Sequence, residues 1–147
     1  MKTILKRLSA CAVAAAAVVG LAAPAWGAVA LPDLPADQCV VDDANVLSED
    51  TTAYMEQLNG LLEANCSGAQ IGVLTVQYTG NASTEEYATQ AINTWGVGSA
   101  SESNGILILL VMESPLYADG DYYLTYGDGF RNTTIDRQAS TLSQTME

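Results

Sequence analysis

Gly105-Ile106-Leu107-Ile108-Leu109-Leu110-Val111-Met112 is the most apolar run downstream of residue 27. A short uncharged stretch bounded by turn formers reads as a buried strand. Both parities of side chain are apolar, which predicts a central strand covered by helices on both faces. Upstream, Ile71-Gly72-Val73-Leu74-Thr75-Val76 is a second such run, lying between Gly68 and Gly80. Between the two, Ser83-Thr84-Glu85-Glu86 spells a capping box, with Ser83 as N-cap and Glu86 at N3. The helix it opens presents Tyr87, Ala91, Ile92 and Trp95 on one side and stops at Gly96-Val97-Gly98. Strand, helix and strand in this order predict a βαβ unit, hence an α/β fold.

The flanks extend that reading. Val40-Val41 is a short extended piece, followed by Asp42-Asp43 and then Ser48, an N-cap candidate backed by Glu49 and Asp50. Tyr54, Leu58, Leu61 and Leu62 fall on one helical stripe, and Gly68 suits the stop. Downstream, Pro115 and Gly120 mark a turn into Tyr122-Tyr123-Leu124-Thr125-Tyr126, which should pair antiparallel as a hairpin. After Gly127-Asp128-Gly129, a stripe of Ile135, Ala139, Leu142 and Met146 predicts a final helix, still uncapped at Glu147. That ending predicts a domain truncated at its C-terminus.

The N-terminal residues 1–27 read as a secretory signal. A basic start with Lys2, Lys6 and Arg7 precedes an Ala/Val/Leu run, and Pro24-Ala25-Trp26-Gly27 ends it with small residues. Residues 28–38 read as a linker and 39–147 as the domain. Export puts Cys39 and Cys66 in an oxidising compartment, where a disulfide across the first helix is expected. Two unpaired thiols are the alternative.

Removing the leader leaves 120 of the 147 residues, with Arg131 and Arg137 against 17 carboxylates, a net charge of −15. Such a surface repels phosphate backbones, which excludes nucleic acid as a partner. The chain has no histidine, which removes Ser-His-Asp and Cys-His catalysis and histidine metal ligands. Its only lysines lie in the leader, so a Schiff base or P-loop lysine is excluded too. Carboxylates, hydroxyls, two arginines and backbone groups remain. Clustered loop carboxylates suit a hard cation such as Ca²⁺ or Mg²⁺, and equally suit tight turns. Asp42-Asp43, Asp119-Gly120-Asp121 and Gly127-Asp128-Gly129 are the candidates. The glycines beside Asp128 permit close approach of a ligand, and Arg131 is the best-placed phosphate anchor.

The order of these motifs resembles the TPM domain family. Val41-Asp42-Asp43-Ala44-Asn45-Val46-Leu47-Ser48 is similar to its opening motif, and 68–76 to its Gly-x-Gln-Ile strand. Trp95-Gly96-Val97-Gly98, Asn104-Gly105-Ile106-Leu107-Ile108-Leu109 and Gly127-Asp128-Gly129 follow in the family's order over about 40–138. The resemblance implies a three-layer α/β/α sandwich with a small mixed sheet. It also implies an exported cell-envelope protein, often membrane-anchored beyond the domain. Members include plant thylakoid-lumen proteins described as acid phosphatases, a photosystem II repair factor and an animal receptor modulator. Two functions follow from it. One is a divalent-cation site (Ca²⁺ or Mg²⁺) of Asp42, Asp128 and Asp136, with weak phosphomonoesterase activity on a phosphorylated small molecule. Asp42 or Asp136 would then serve as ligand or base, and Arg131 would orient the phosphate. The other is a non-catalytic module assisting the assembly or repair of a membrane-protein partner. The family's Thr-Asp pair reads Ile135-Asp136 here.

Overall fold

A computed structural model describes residues 30–36, 38–116 and 118–144. The leader at 1–27 and Met146 lie outside these residues, as do the side chains beyond Thr141. The elements run β1 (Val40–Asp42), α1 (Glu49–Asn65), β2 (Gln70–Tyr78), α2 (Thr84–Trp95), β3 (Gly105–Glu113), β4 (Asp121–Tyr126), a 3₁₀ turn (Asp128–Phe130) and α3 (Thr134–Gln144). The sheet order is β1-β2-β3-β4, with the first three strands parallel and β4 antiparallel to β3. The expected α/β class with a small mixed sheet is what forms.

Local chemistry sets the boundaries. Ser48 caps α1 by accepting from the Thr51 amide, and Ser83 with Glu86 completes the reciprocal capping box of α2. Gly96, left-handed at φ 64°, ends α2.

Strand register assigns the faces. Leu74 and Val76 pair with Leu109 and Val111, so all four share one face with Leu107. There they pack with Tyr87, Ala88 and Ala91 of α2, every one of them at most 3% exposed. Burying each of the large aliphatic side chains contributes about 1.5–3 kcal/mol. The lead-in is docked on the same side rather than free. Leu31 packs against this cluster, the Tyr87 hydroxyl donates to the Ala30 carbonyl at 3.0 Å, and the Trp95 indole donates to Pro32 at 3.2 Å.

Val40, Val73 and Thr75 point to the opposite face, where the chain leaving β1 crosses and the Ala44 amide donates to the Thr75 hydroxyl. Helix α1 follows on that side and packs along β1 and β2. The strand buried on both faces is therefore β2, whose residues from Gly72 to Val76 are all buried. This corrects the expectation for β3. Its alternate residues Ile106, Ile108, Leu110 and Met112 are only half-buried, because α1 packs mainly over β1 and β2.

Two more expectations change. On α1, Tyr54 and Leu61 are exposed, and the buried position is Asn59. Its amide group donates to the Ile71 carbonyl at 2.9 Å and accepts from the Ile71 N–H at 2.7 Å. It completes the β2 edge just before β1 begins, so a polar clamp seats the helix beside Leu58 and Leu62, the half-buried part of its apolar stripe. Cys39 and Cys66 are free thiols, not a disulfide. The Cys39 amide is held by Glu56 at 2.9 Å, whereas Cys66 caps the end of α1. Ten residues of helix separate Glu56 from Cys66, about 15 Å of rise. Burial first, then the carboxylates of Glu56 and Glu63, push the Cys39 thiol up and keep it protonated.

Backbone contacts too close for a side chain draw the lower end together. A Cβ on Gly105 would sit 2.0 Å from the Val97 carbonyl oxygen. One on Gly127 would sit 2.1 Å from the Ser103 oxygen, and one on Gly129 2.0 Å from the Glu102 oxygen. Gly60, exposed on α1, has nothing within 4 Å of its Cβ position. Gly105→Ala is therefore expected to cost about 3 kcal/mol or more by overpacking. Gly60→Ala should stabilise by up to about 1 kcal/mol through helix propensity. Urea unfolding of the two variants against the parent chain checks the opposite signs.

Candidate functional site

The parallel strands end at one edge of the sheet, and the antiparallel β4 ends at the other. Asp42 terminates β1 and aligns through Thr75 with Leu110 of β3. Asp128 follows β4, where Tyr126 is paired with Ile106 and the Gly127 amide donates to the Gly105 carbonyl at 2.9 Å. With three interstrand spacings across and five residues along to Gly127, Asp42 stands roughly 20 Å from the turn that carries Asp128. Asp42, Asp128 and Asp136 therefore do not meet in one site. Among the described residues, no group of three or more His, Cys, Asp or Glu side chains is arranged to hold a metal ion.

Asp42 is occupied by its own loop. One carboxylate oxygen accepts from the Val46 amide at 3.0 Å and from the Thr75 hydroxyl at 2.5 Å, and the other accepts from the Leu47 amide at 2.9 Å. Thr75 is fully buried and links this carboxylate to the Ala44 amide at 3.2 Å. Burial opposes ionisation of Asp42, but the Thr75 and backbone hydrogen bonds outweigh it and hold the carboxyl below its ordinary value. The stabilisation is thus present above the ordinary carboxylate range and is lost as pH falls through the lowered pKa. The arrangement folds the passage from β1 to α1.

The other predicted residues do converge. Tyr126, Gly127, Asp128, Arg131, Asn132 and Asp136 line one open cleft of about 330 Å³ where β4, the 3₁₀ turn and α3 meet. Asp136, in the first turn of α3, accepts from the Tyr126 hydroxyl at 2.8 Å and from the Asn132 amide at 2.9 Å. Arg131 Nε donates to Asp128 at 2.7 Å as an exposed ion pair. Arg137 turns away, donating to the Asn132 carbonyl at 3.0 Å and the Thr134 hydroxyl at 3.2 Å. The two glycines flanking Asp128 approach the chain's own carbonyls, so they shape the cleft wall rather than admit a ligand.

The Tyr126 hydrogen bond, followed by the Asn132 amide, draws the Asp136 carboxyl below its ordinary value against slight burial, and both arginines add to the effect. Hydrogen bonding to Asp136 leads the causes that push the Tyr126 hydroxyl up, with Arg131 opposing. Arg131 occupies one Asp128 oxygen and both Asp136 oxygens accept hydrogen bonds, so these two carboxylates alone cannot fill the six to eight positions of a closed Ca²⁺ site. Tyr126 and Asn132 escaped the sequence reading. Tyr126 sat in a tyrosine-rich strand that reads as a half-buried face, and nothing local distinguishes Asn132. Tyr126→Phe should raise the Asp136 carboxyl pKa toward the ordinary 3.8. Carboxyl-carbon NMR titration measures it, and an unchanged Asp136 titration contradicts the assignment.

Comparison with known proteins agrees with the architecture. The family profile of the TPM domain matches residues 40–147. A solved structure with a similar fold is the solution NMR structure of the N-terminal domain of a protein from P. gingivalis, at a TM-score of 0.60 and 22% sequence identity. The alignment covers 74% of this chain and 66% of that one, just under two thirds of its length. At that identity the likeness concerns the fold alone. Comparison with curated protein sequences returns no match. With its ordered motifs on the expected strands and helices and the profile spanning the sheet, this chain belongs to the TPM domain family.

Proposed function

We propose that this protein is an exported envelope module that takes up a divalent cation, Mg²⁺ or Ca²⁺, in the cleft between β4 and α3, without phosphatase chemistry. One observation supports the reading: Asp128 and Asp136 line a single cleft, while Asp42 lies roughly 20 Å away. Two carboxylates and a water-rich shell give weak binding, ~mM, as is usual for extracellular cation sites. With the leader removed, a net charge of −15 would concentrate cations near the surface and compensate for the sparse ligand set. Bound there, the cation would supply positive charge between Asp128 and Asp136, and Asp136 would hold Tyr126 and the start of α3 in place.

Phosphomonoester hydrolysis is the second reading, favoured by Arg131 lining the same cleft as Asp136. It requires Arg131 to leave Asp128 and Asp136 to act as base while it accepts from Tyr126 and Asn132, with the remote Asp42 taking no part.

Calorimetric titration with Mg²⁺ and Ca²⁺ separates the readings when combined with p-nitrophenyl phosphate turnover. Asp128→Asn and Asp136→Asn should each weaken binding about tenfold. Asp42→Asn should leave affinity intact and lower stability by about 1–2 kcal/mol, through hydrogen bonds lost from a charged acceptor. Turnover should stay at the buffer rate throughout. Binding insensitive to both cleft variants overturns the cation proposal. Turnover that disappears in Asp136→Asn establishes the phosphatase instead.

A further inference from the structure

The edge of the sheet opposite the cleft carries an arrangement that the cation reading does not use. β1, β2 and β3 all end there, with Tyr78 paired to Glu113 and the Ala44 carbonyl accepting from the Gln77 side chain at 3.2 Å. Among the described residues, three large apolar side chains stand in water at this edge: Val46 at 49% exposure, Tyr78 at 52% and Leu116 at 71%. Val46 lies in the loop leaving β1, Tyr78 at the end of β2 and Leu116 in the turn from β3 to β4. Around them Asp43, Glu49, Asp50, Glu113 and Asp119 are exposed. Among the described residues no basic side chain shares this edge, since Arg131 and Arg137 both follow β4 at the far end.

Charge and apolar surface are thus segregated together. We propose that this edge docks a polypeptide segment in which Lys or Arg alternates with apolar residues. Its side chains would bury Tyr78 and Leu116 at the centre while its cations meet the acidic rim. Tyrosine is among the residues enriched as anchors of such contacts. The rim charges steer the encounter and reject acidic partners. An anionic lipid surface is repelled by the same rim.

Fluorescence anisotropy of the full chain with a short labelled lysine–leucine peptide tests this, with a glutamate–leucine peptide as control. The basic peptide should bind and the acidic one should not. Tyr78→Ser with Leu116→Ser should weaken binding about tenfold at unchanged melting temperature. Asp50→Lys with Asp119→Lys should weaken it and flatten its salt dependence. Equal binding to the parent chain and the Tyr78/Leu116 variant overturns the docking surface, leaving only diffuse charge attraction. Preference for phosphatidylcholine vesicles over the peptide overturns it in favour of a membrane contact. Calcium or magnesium affinity at the distant cleft should be unaffected by these variants, so either proposal can fail alone.

Discussion

Three backbone approaches that leave no room for a Cβ hold the lower half of this domain together. Gly105 lies against the Val97 carbonyl, Gly127 against Ser103 and Gly129 against Glu102. The Gly127 and Gly129 amides donate to Gly105 and Ser103 in the same region, both at 2.9 Å. These contacts bring the end of β4 beside the start of β3 and orient the 3₁₀ turn, so that Asp128, Asn132 and Asp136 face one another. Any side chain at these positions would push β4 away, and the cleft would open.

A consequence is that the acidic residues work in two unrelated places. Asp42 folds the β1–α1 passage through Thr75, Val46 and Leu47. Asp128 and Asp136, with Arg131 and Tyr126, border the cleft at the other end. The sheet spans the distance between them, and no loop folds back to close it among the described residues. Among the described residues, negative charge without cations therefore collects at one edge, while Arg131 and Arg137 sit at the other.

Much of the fold was legible because several local signals agreed. The Ser83–Glu86 capping box, the left-handed stop at Gly96 and the two apolar strand runs each point to the same βαβ unit, and the structure forms it. The misreadings arise where tertiary packing decides. Periodicity on α1 favours Tyr54 and Leu61, yet the helix is seated by Asn59 on the backbone of Ile71. The apolar run of β3 suggests cover on both faces, but α1 packs mainly over β1 and β2. For the site, residue type identified Asp128, Arg131 and Asp136 without showing that Asp42 belongs elsewhere. That separation is a matter of strand direction, and the antiparallel turn of β4 places Gly127-Asp128-Gly129 at the wrong end of the sheet to meet Asp42.

The most direct measurement of this division is the amide NMR spectrum followed through a Mg²⁺ or Ca²⁺ titration. Shifts confined to the amides from Asp128 to Asp136, with those of Val46 and Leu47 unmoved, are the predicted result. Shifts at Val46 and Leu47 tracking the same saturation curve as Asp136 would contradict it, since they would mean that Asp42 shares the cation after all.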